Sequence, residues 1–525
     1  MSRSPASSTS RTRRVAKALA AVTALTLTAA GCVPASFLPG MMDGDASTPE
    51  HKRPLAPPPG YEKLAKFYSQ SLSWEKCDDH ECTWIEVPLD HDKPDGETLK
   101  LRARKAPATG KASRTLFVNP GGPGGSAVDL AKDAKYAVTS PIREIYDVVG
   151  VDPRGVGQSN PLICVGDDDL DFMHGSDPTP DSSSEKTVAD AIPGLFGESC
   201  QRKNPQLFRH ISTLDVAKDM DIARAVMGEK QMDYLGFSYG TFLGSIYADL
   251  FPKYVGRFIL DGAVPPDLTT KELALGQTQG FEKATKAYLA HCVAQADCPF
   301  GTSPSASYSM LRQFIYKVEA QPLPVEGDPR VKKLTEGWAT VAIMASLYSK
   351  DSWDPLTEAA HKADKGDGTE LFRIAADSLE RQDGRYLNNS SQALRAVDCL
   401  DRPTPKLLPS EQASQSLEFT TSSPLWGLMM ADTSFCANWP AAPKLQPRRV
   451  TASGSNPIVV IGTTRDPATP YEWSERLADQ LEQSRHIRHD GDGHTVYPSR
   501  SQCVDAAVDD YLLNGKAPEK RRTDC

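Results

Sequence analysis

The chain has 525 residues, enough for a large core plus an inserted domain. Net charge is -9 and the isoelectric point about 5.7, so no basic surface for nucleic acid is implied. Cys77 and Cys82 flank His80 without a second ligand pair, so neither a zinc site nor any other metal or cofactor is expected.

The N-terminus reads as a targeting segment. Arg11, Arg13, Arg14 and Lys17 precede an apolar run at residues 18–30 that is too short to span a bilayer comfortably. The run ends in Ala29-Ala30-Gly31-Cys32, which resembles a bacterial lipobox with Cys32 as the lipidated residue, although Ala29 stands where Leu is usual. Cleavage and secretion is the alternative. Residues 1–32 are therefore read as a signal peptide, and membrane contact is expected only through the lipid anchor. Residues 33–60, rich in Pro, Gly, Ser and Asp, read as a disordered tether. Setting Cys32 aside leaves ten of the 11 cysteines, an even number that reads as disulfides in an exported chain. Pairing in sequence order, 77–82, 164–200, 292–298, 399–436 and 503–525, closes the shortest loops. Composition does not choose it over other connectivities.

Residues 83–87 and 99–103 predict an opening β-hairpin. Residues 115–118 predict a buried strand that runs into Asn119-Pro120-Gly121-Gly122-Pro123-Gly124-Gly125-Ser126. A strand at 146–151 runs into Asp152-Pro153-Arg154-Gly155-Val156-Gly157-Gln158-Ser159. The acidic connection at 165–200 is read as a surface loop and not a site. Further strands follow at 232–235, 257–261 and 457–461. Apolar strands alternating with helices imply a mostly parallel sheet with helices on both faces. Between 266 and 450 the rhythm lapses into helical patterns at 273–292, 305–319, 338–350 and 369–382. That stretch is read as a mainly helical cap inserted before the seventh strand, between core segments 61–265 and 451–525.

Gly236-Phe237-Ser238-Tyr239-Gly240 lies between a strand and a helical stretch. A Gly-x-Ser-x-Gly segment in that context is a nucleophile elbow, with Ser238 exposed above the sheet edge. A serine nucleophile needs a base, an acid that orients the base, and an oxyanion hole. Asp466, in Arg465-Asp466-Pro467-Ala468-Thr469, and His494, in Gly491-Asp492-Gly493-His494, complete the order Ser…Asp…His found on α/β-hydrolase sheets. Asp261 is the rival acid, and His486 and His489 are rival bases. Thr469 is placed to donate to the Asp466 carboxylate or to stabilise its turn. The oxyanion donors are expected to be the N–H groups of Tyr239 and Gly122, with Gly121 second.

The Asn-Pro-Gly-Gly-Pro-Gly-Gly-Ser, Asp-Pro-Arg-Gly-Val-Gly-Gln-Ser, Gly-Phe-Ser-Tyr-Gly-Thr, Asp-Pro-Ala-Thr-Pro-Tyr and Gly-Asp-Gly-His segments together resemble the tripeptidyl aminopeptidase group of actinobacterial exported α/β-hydrolases, relatives of prolyl aminopeptidase. The resemblance covers nearly all of residues 60–525. It implies the α/β-hydrolase fold and removal of short peptides, tripeptides foremost, from free N-termini, with the cap limiting substrate length. The expected partner is a peptide with a free N-terminus, and the expected state is a monomer. Ala396-Val397-Asp398-Cys399-Leu400-Asp401 resembles a family segment, which offers Asp401 and Asp398 as readers of the substrate ammonium or as acids on a disulfide-braced loop. An esterase using the same triad is the alternative function. A non-catalytic binding lipoprotein is a third.

Overall fold

The computed structural model describes residues 53–525 apart from residue 296. Cys32 and most of the expected tether lie outside the described residues. Residues 53–60 lie against the core: the Leu55 N–H donates to the Ala225 carbonyl at 3.0 Å, and Pro58 is buried.

Ten strands form one sheet. They are β1 (Glu75–Cys77), β2 (His80–Pro88), β3 (Thr98–Ala106), β4 (Arg114–Asn119), β5 (Tyr146–Val151), β6 (Met232–Phe237), β7 (Val255–Asp261), β8 (Ile458–Arg465), β9 (Ser484–Asp492) and β10 (Arg522–Asp524). The spatial order is β1-β2-β3-β5-β4-β6-β7-β8-β9-β10. The pairs β1/β2, β2/β3 and β3/β5 are antiparallel, and every pair from β5/β4 to β9/β10 is parallel. This is the α/β-hydrolase fold. The period-2 alternation of strands sorts neighbours to opposite faces. Phe117, Val149, Tyr234, Phe258, Leu260 and Val460 enter one apolar cluster. Leu116, Val148, Leu235, Ile259, Val459 and Ile461 enter the other. Both faces are covered, so these strands read as unbroken apolar runs.

Three expectations need correction. The 165–200 connection is not a loop but two helices, Asp167–Gly175 and Ser183–Lys203. Its legible signal is the Ser182/Glu185 capping box, in which each side chain accepts from the other's amide. The helix expected over 369–382 ends at Ser378, because Glu380 and Asp383 take positive φ (both 49°) and a short hairpin follows. The 396–401 segment is not a loop but the last half of a helix, Ser390–Asp401. Its Ala393, Ala396, Val397 and Leu400 repeat at helical spacing and are buried.

The cap has its own apolar core, built around Phe281, Tyr288, Trp338, Trp353, Phe372 and Trp426. Helix Asp167–Gly175 joins it through Arg381, a buried side chain that binds Asp171 at 2.6 Å and Asp328 at 2.6 Å, whereas Phe196 and Cys200 of helix Ser183–Lys203 enter the sheet-side cluster. The ten described cysteines form five disulfides, paired in sequence order as the shortest loops suggested.

The Asp-Pro-Arg-Gly segment turns inward. Arg154 is fully buried, and it donates from Nε and Nη2 to both Asp219 oxygens at 2.6 and 2.7 Å. Its remaining N–H groups reach the carbonyls of Pro88, Leu89 and His210. Removing one partner of such a pair leaves a buried unpaired charge. Arg154→Leu is therefore expected to lower the unfolding free energy in urea by about 3–5 kcal/mol. The Arg154→Leu/Asp219→Leu double variant should lose less than Arg154→Leu alone.

Candidate active site

Ser238 ends the turn after β6 and opens helix Tyr239–Leu250. Its backbone lies at φ 56°, ψ −125°, a strained region for any residue with a side chain. Its N–H donates to the Asp261 carbonyl at 2.9 Å, and its carbonyl accepts from the Thr241 N–H at 2.8 Å and Oγ1 at 2.6 Å. The turn requires glycine: a Cβ on Gly236 would lie 2.5 Å from the Gly240 carbonyl oxygen.

Gly121 (φ 93°) packs under the elbow. A Cβ there would collide with the Phe237 carbonyl and lie 3.0 Å from both Ser238 Cβ and the Tyr239 nitrogen. The Gly121 N–H donates to Asn119 Oδ1 at 2.9 Å. The N–H groups of Gly122 and Tyr239 have no acceptor among the described residues. Gly121 has thus committed its donor internally, while Gly122 and Tyr239 retain theirs. The Tyr239 amide is also one of the first-turn donors that a helix leaves unsatisfied.

Asp466 and His494 lie on the loops after β8 and β9, and the structure brings them together. His494 Nδ1 is 2.9 Å from each Asp466 carboxylate oxygen. Asp466 is buried and also accepts from the amides of Ala468, Thr469 and Thr495 and from Thr469 Oγ1 at 2.9 Å. With Nδ1–H turned to the carboxylate, Nε2 is the nitrogen left to exchange a proton with a substrate or nucleophile. The ring lies against Gly262: a Cβ there would be 3.2 Å from His494 Cε1. Gly262 follows Asp261, whose carbonyl holds the Ser238 amide.

Cap residues that the sequence reading passed over complete this arrangement. The Tyr348 carbonyl, freed at the end of helix Glu336–Leu347, accepts the His494 N–H at 2.8 Å, and the Tyr348 ring stands edge-on to the imidazole. Helix Thr270–Val293 lies on the Asp466 loop, where a Cβ on Gly280 would collide with the Pro467 carbonyl. The helix pattern was legible, but its contact partner was not.

The rivals have other partners. Asp261 is buried, and its Oδ2 accepts the amides of Val496 and Tyr497 at 2.9 and 2.8 Å while Oδ1 has no partner among the described residues. Burial pushes its carboxyl up to about 6. His486 is buried in the sheet and meets Ser474 Oγ at 2.9 Å. His489 stays on β9, half-buried, and neither histidine bonds to Asp466.

The two acids of helix Ser390–Asp401 separate. Asp401 is buried and commits both oxygens to Thr213, Oδ1 to its N–H at 2.8 Å and Oδ2 to its Oγ1 at 2.5 Å. The Asp398 side chain is 32% exposed, with Oδ1 3.3 Å from Arg402 Nη1 and the other oxygen without a partner among the described residues.

A cavity of about 910 Å³ lies in the cap, between helices Ser183–Lys203 and Pro409–Ser422. Phe172, Met429, Phe435 and Arg395 are among its lining, but Ser238, Asp466 and His494 are not. At its edge the oxygens of Asp177, Glu319 and Glu336 lie within 4.8 Å of one another. Burial, reinforced by Asp177, pushes Glu336 up to about 9, so that cluster holds a proton near neutrality.

Serine protease Hip1 of Mycobacterium tuberculosis is 35% identical to this chain over 462 residues, 83% of this chain and 86% of its own. Carboxylesterase B of the same species is 33% identical over 495 residues, 89% and 94%. Tripeptidyl aminopeptidase of Streptomyces coelicolor is 30% identical over 472 residues, 86% and 85%. A family model described as TAP-like protein matches residues 423–525, which hold Asp466 and His494. The chain belongs to the tripeptidyl aminopeptidase-like family of α/β-hydrolases. It is a serine aminopeptidase-like hydrolase. Of Asp466 and Asp261, only Asp466 touches the His494 ring.

Asp466→Asn is therefore expected to lower turnover about 10⁴-fold. Asp261→Asn should cost far less activity and change the pH dependence of stability. The native Asp261 carboxyl, raised to about 6, takes up its proton before an unfolded one at about 3.9. Its contribution is full below about pH 4 and is lost as pH rises through about 6. Urea unfolding between these pH values should show this slope in the wild type and lose it in Asp261→Asn.

Proposed function

We propose that this chain is an exported serine exopeptidase that removes short peptides, tripeptides foremost, from free N-termini through an acyl-enzyme on Ser238. The reading rests on one observation above all. The His494–Asp466 pair, 2.9 Å apart, lies beside the residue whose carbonyl holds the Ser238 amide. His494 Nε2 takes the Ser238 proton as Oγ attacks the scissile carbonyl, and Asp466 holds the tautomer and stabilises the cation. The N–H groups of Tyr239 and Gly122 receive the developing oxyanion. The imidazolium then protonates the leaving amine, and water repeats the sequence on the ester.

The peptidase part is supported by the names of the Hip1 and Streptomyces relatives, and the exopeptidase part by the Streptomyces name and by Asp398. One of its oxygens has no partner among the described residues, it lies on the cap helix that packs against the glycine loop, and it is proposed to read the substrate ammonium. Export is supported by the five disulfides, which persist in oxidising compartments. Lipid anchoring at Cys32 is part of the same proposal. A second reading, hydrolysis of acyl esters by the same residues, is favoured by the relative named carboxylesterase B.

Ser238→Ala is expected to abolish turnover, by on the order of 10⁴-fold or more, with the fold retained. A fluorophosphonate should label Ser238 and no other serine; appreciable residual activity or a label elsewhere refutes the assignment. Free and acetylated tripeptide arylamides and simple acyl esters separate the two readings, since an exopeptidase prefers the free peptide. Asp398→Asn should cost that substrate about 10- to 100-fold in kcat/KM and spare the blocked ones. Cys32→Ser should shift the protein from the cell membrane to the medium or leave an uncleaved precursor, and unchanged membrane partition would refute the anchor.

A further inference from the structure

We propose that Asp401 is a positioning residue that acts through Thr213 on Tyr239, so that one cap helix braces both donors of the oxyanion hole. The inference rests on Ser238 being the nucleophile. It gives Asp401 a role separate from reading the substrate amine.

The geometry is a chain of three side chains. Asp401 ends helix Ser390–Asp401 and is 1% exposed. Thr213 opens helix Thr213–Val226 and gives Asp401 both its N–H, at 2.8 Å, and its hydroxyl, at 2.5 Å. A carboxylate at that end of a helix meets unsatisfied amides and a favourable dipole. A hydroxyl has one proton. With that proton given to Asp401, the Thr213 oxygen accepts from the Tyr239 hydroxyl, which it contacts directly. The direction of donation is therefore Tyr239 to Thr213 to Asp401. Tyr239 is the residue whose backbone N–H is one of the two free donors beside Ser238. Its ring is buried, so anchoring the hydroxyl fixes the residue at both ends.

The other end of the same helix meets the other donor. A Cβ on Gly124 would lie 2.6 Å from the Ser390 carbonyl oxygen and 3.1 Å from Ala393 Cβ. Gly124 is two residues from Gly122. Asn389, just before the helix, pins its start by donating to the carbonyls of Gly155 and Leu162 and accepting from the Gly157 N–H. A helix of twelve residues thus presses on the glycine loop at its N-terminus and holds Tyr239 at its C-terminus.

The charge on Asp401 is conditional. Burial pushes its carboxyl up to about 7, Asp398 adds to the rise, and Thr213 and Arg402 oppose it. Facing it are Asp398 and Arg402 from its own helix end and Tyr239 from the elbow helix; Asp215, on the first turn of the Thr213 helix, binds Lys444 at 2.8 Å instead. Protonation removes an acceptor that Thr213 needs, and Asp401→Asn mimics that state.

The test uses the full enzyme with free tripeptide arylamide, its acetylated form and a p-nitrophenyl ester. Asp401→Asn and Thr213→Val should each lower kcat on the order of 10- to 100-fold on all three substrates, with KM nearly unchanged. The double variant should lose no more than the worse single one. Tyr239→Phe, which keeps the ring and removes only the hydroxyl, should reproduce the loss and guards against misfolding of the other two. The acid limb of log kcat against pH should carry a second proton in the wild type and a single one in Asp401→Asn. Loss confined to the free peptide through KM would make Asp401 the ammonium reader and overturn the proposal. So would losses that multiply in the double variant, full activity of Tyr239→Phe, or an unchanged acid limb. Failure of the nucleophile reading appears separately, as a Ser238→Ala protein that still turns over these substrates.

Discussion

The backbone of Ser238 at φ 56° is the constraint on which the rest of the site depends. A serine does not hold that conformation unless its surroundings over-determine it. β7 supplies the Asp261 carbonyl for its amide, and Thr241 takes its carbonyl from inside the helix. Glycines at 121, 236 and 240 let three stretches of main chain meet where side chains would collide. The same turn leaves the Tyr239 amide without an acceptor among the described residues. Position of the nucleophile and availability of an oxyanion donor are thus one consequence of a single turn.

The cap belongs to this frame as much as the sheet does. The Tyr348 carbonyl fixes the backbone of His494. Helix Thr270–Val293 presses on the loop of Asp466, and helix Ser390–Asp401 presses on the glycine loop. Each contact is main-chain to main-chain or nearly so, which leaves little slack. A change inside the cap can therefore reach turnover without touching substrate.

Burial and hydrogen bonding assign different roles to chemically identical acids. Asp466 accepts three amides and a hydroxyl and meets the imidazole. Asp261 has two amides for one oxygen and nothing for the other, and burial raises it. Asp401 answers to Thr213, and Glu336 to Thr179 and a neighbouring acid. Burial thus raises Asp261, Asp401 and Glu336 to different extents, about 6, 7 and 9, because their surroundings differ.

The sequence by itself determined strands β2 to β8, the elbow and the order of the candidate triad. Apolar runs of strand length, the Gly-x-Ser-x-Gly turn and the loops holding Asp466 and His494 are local patterns, and local patterns survive in one dimension. It also carried a capping box at Ser182 and a helical repeat before Asp401. Only the tertiary structure decided which acid faces His494 and which of two neighbouring glycines keeps its N–H. It alone turned Asp401 inward to Thr213 and Tyr239 while Asp398 stayed half-exposed. Those outcomes depend on contacts between segments as many as 236 residues apart, such as the amides of Val496 and Tyr497 that occupy Asp261. No spacing in the chain encodes them, because they are set by how the cap and sheet pack once both have formed.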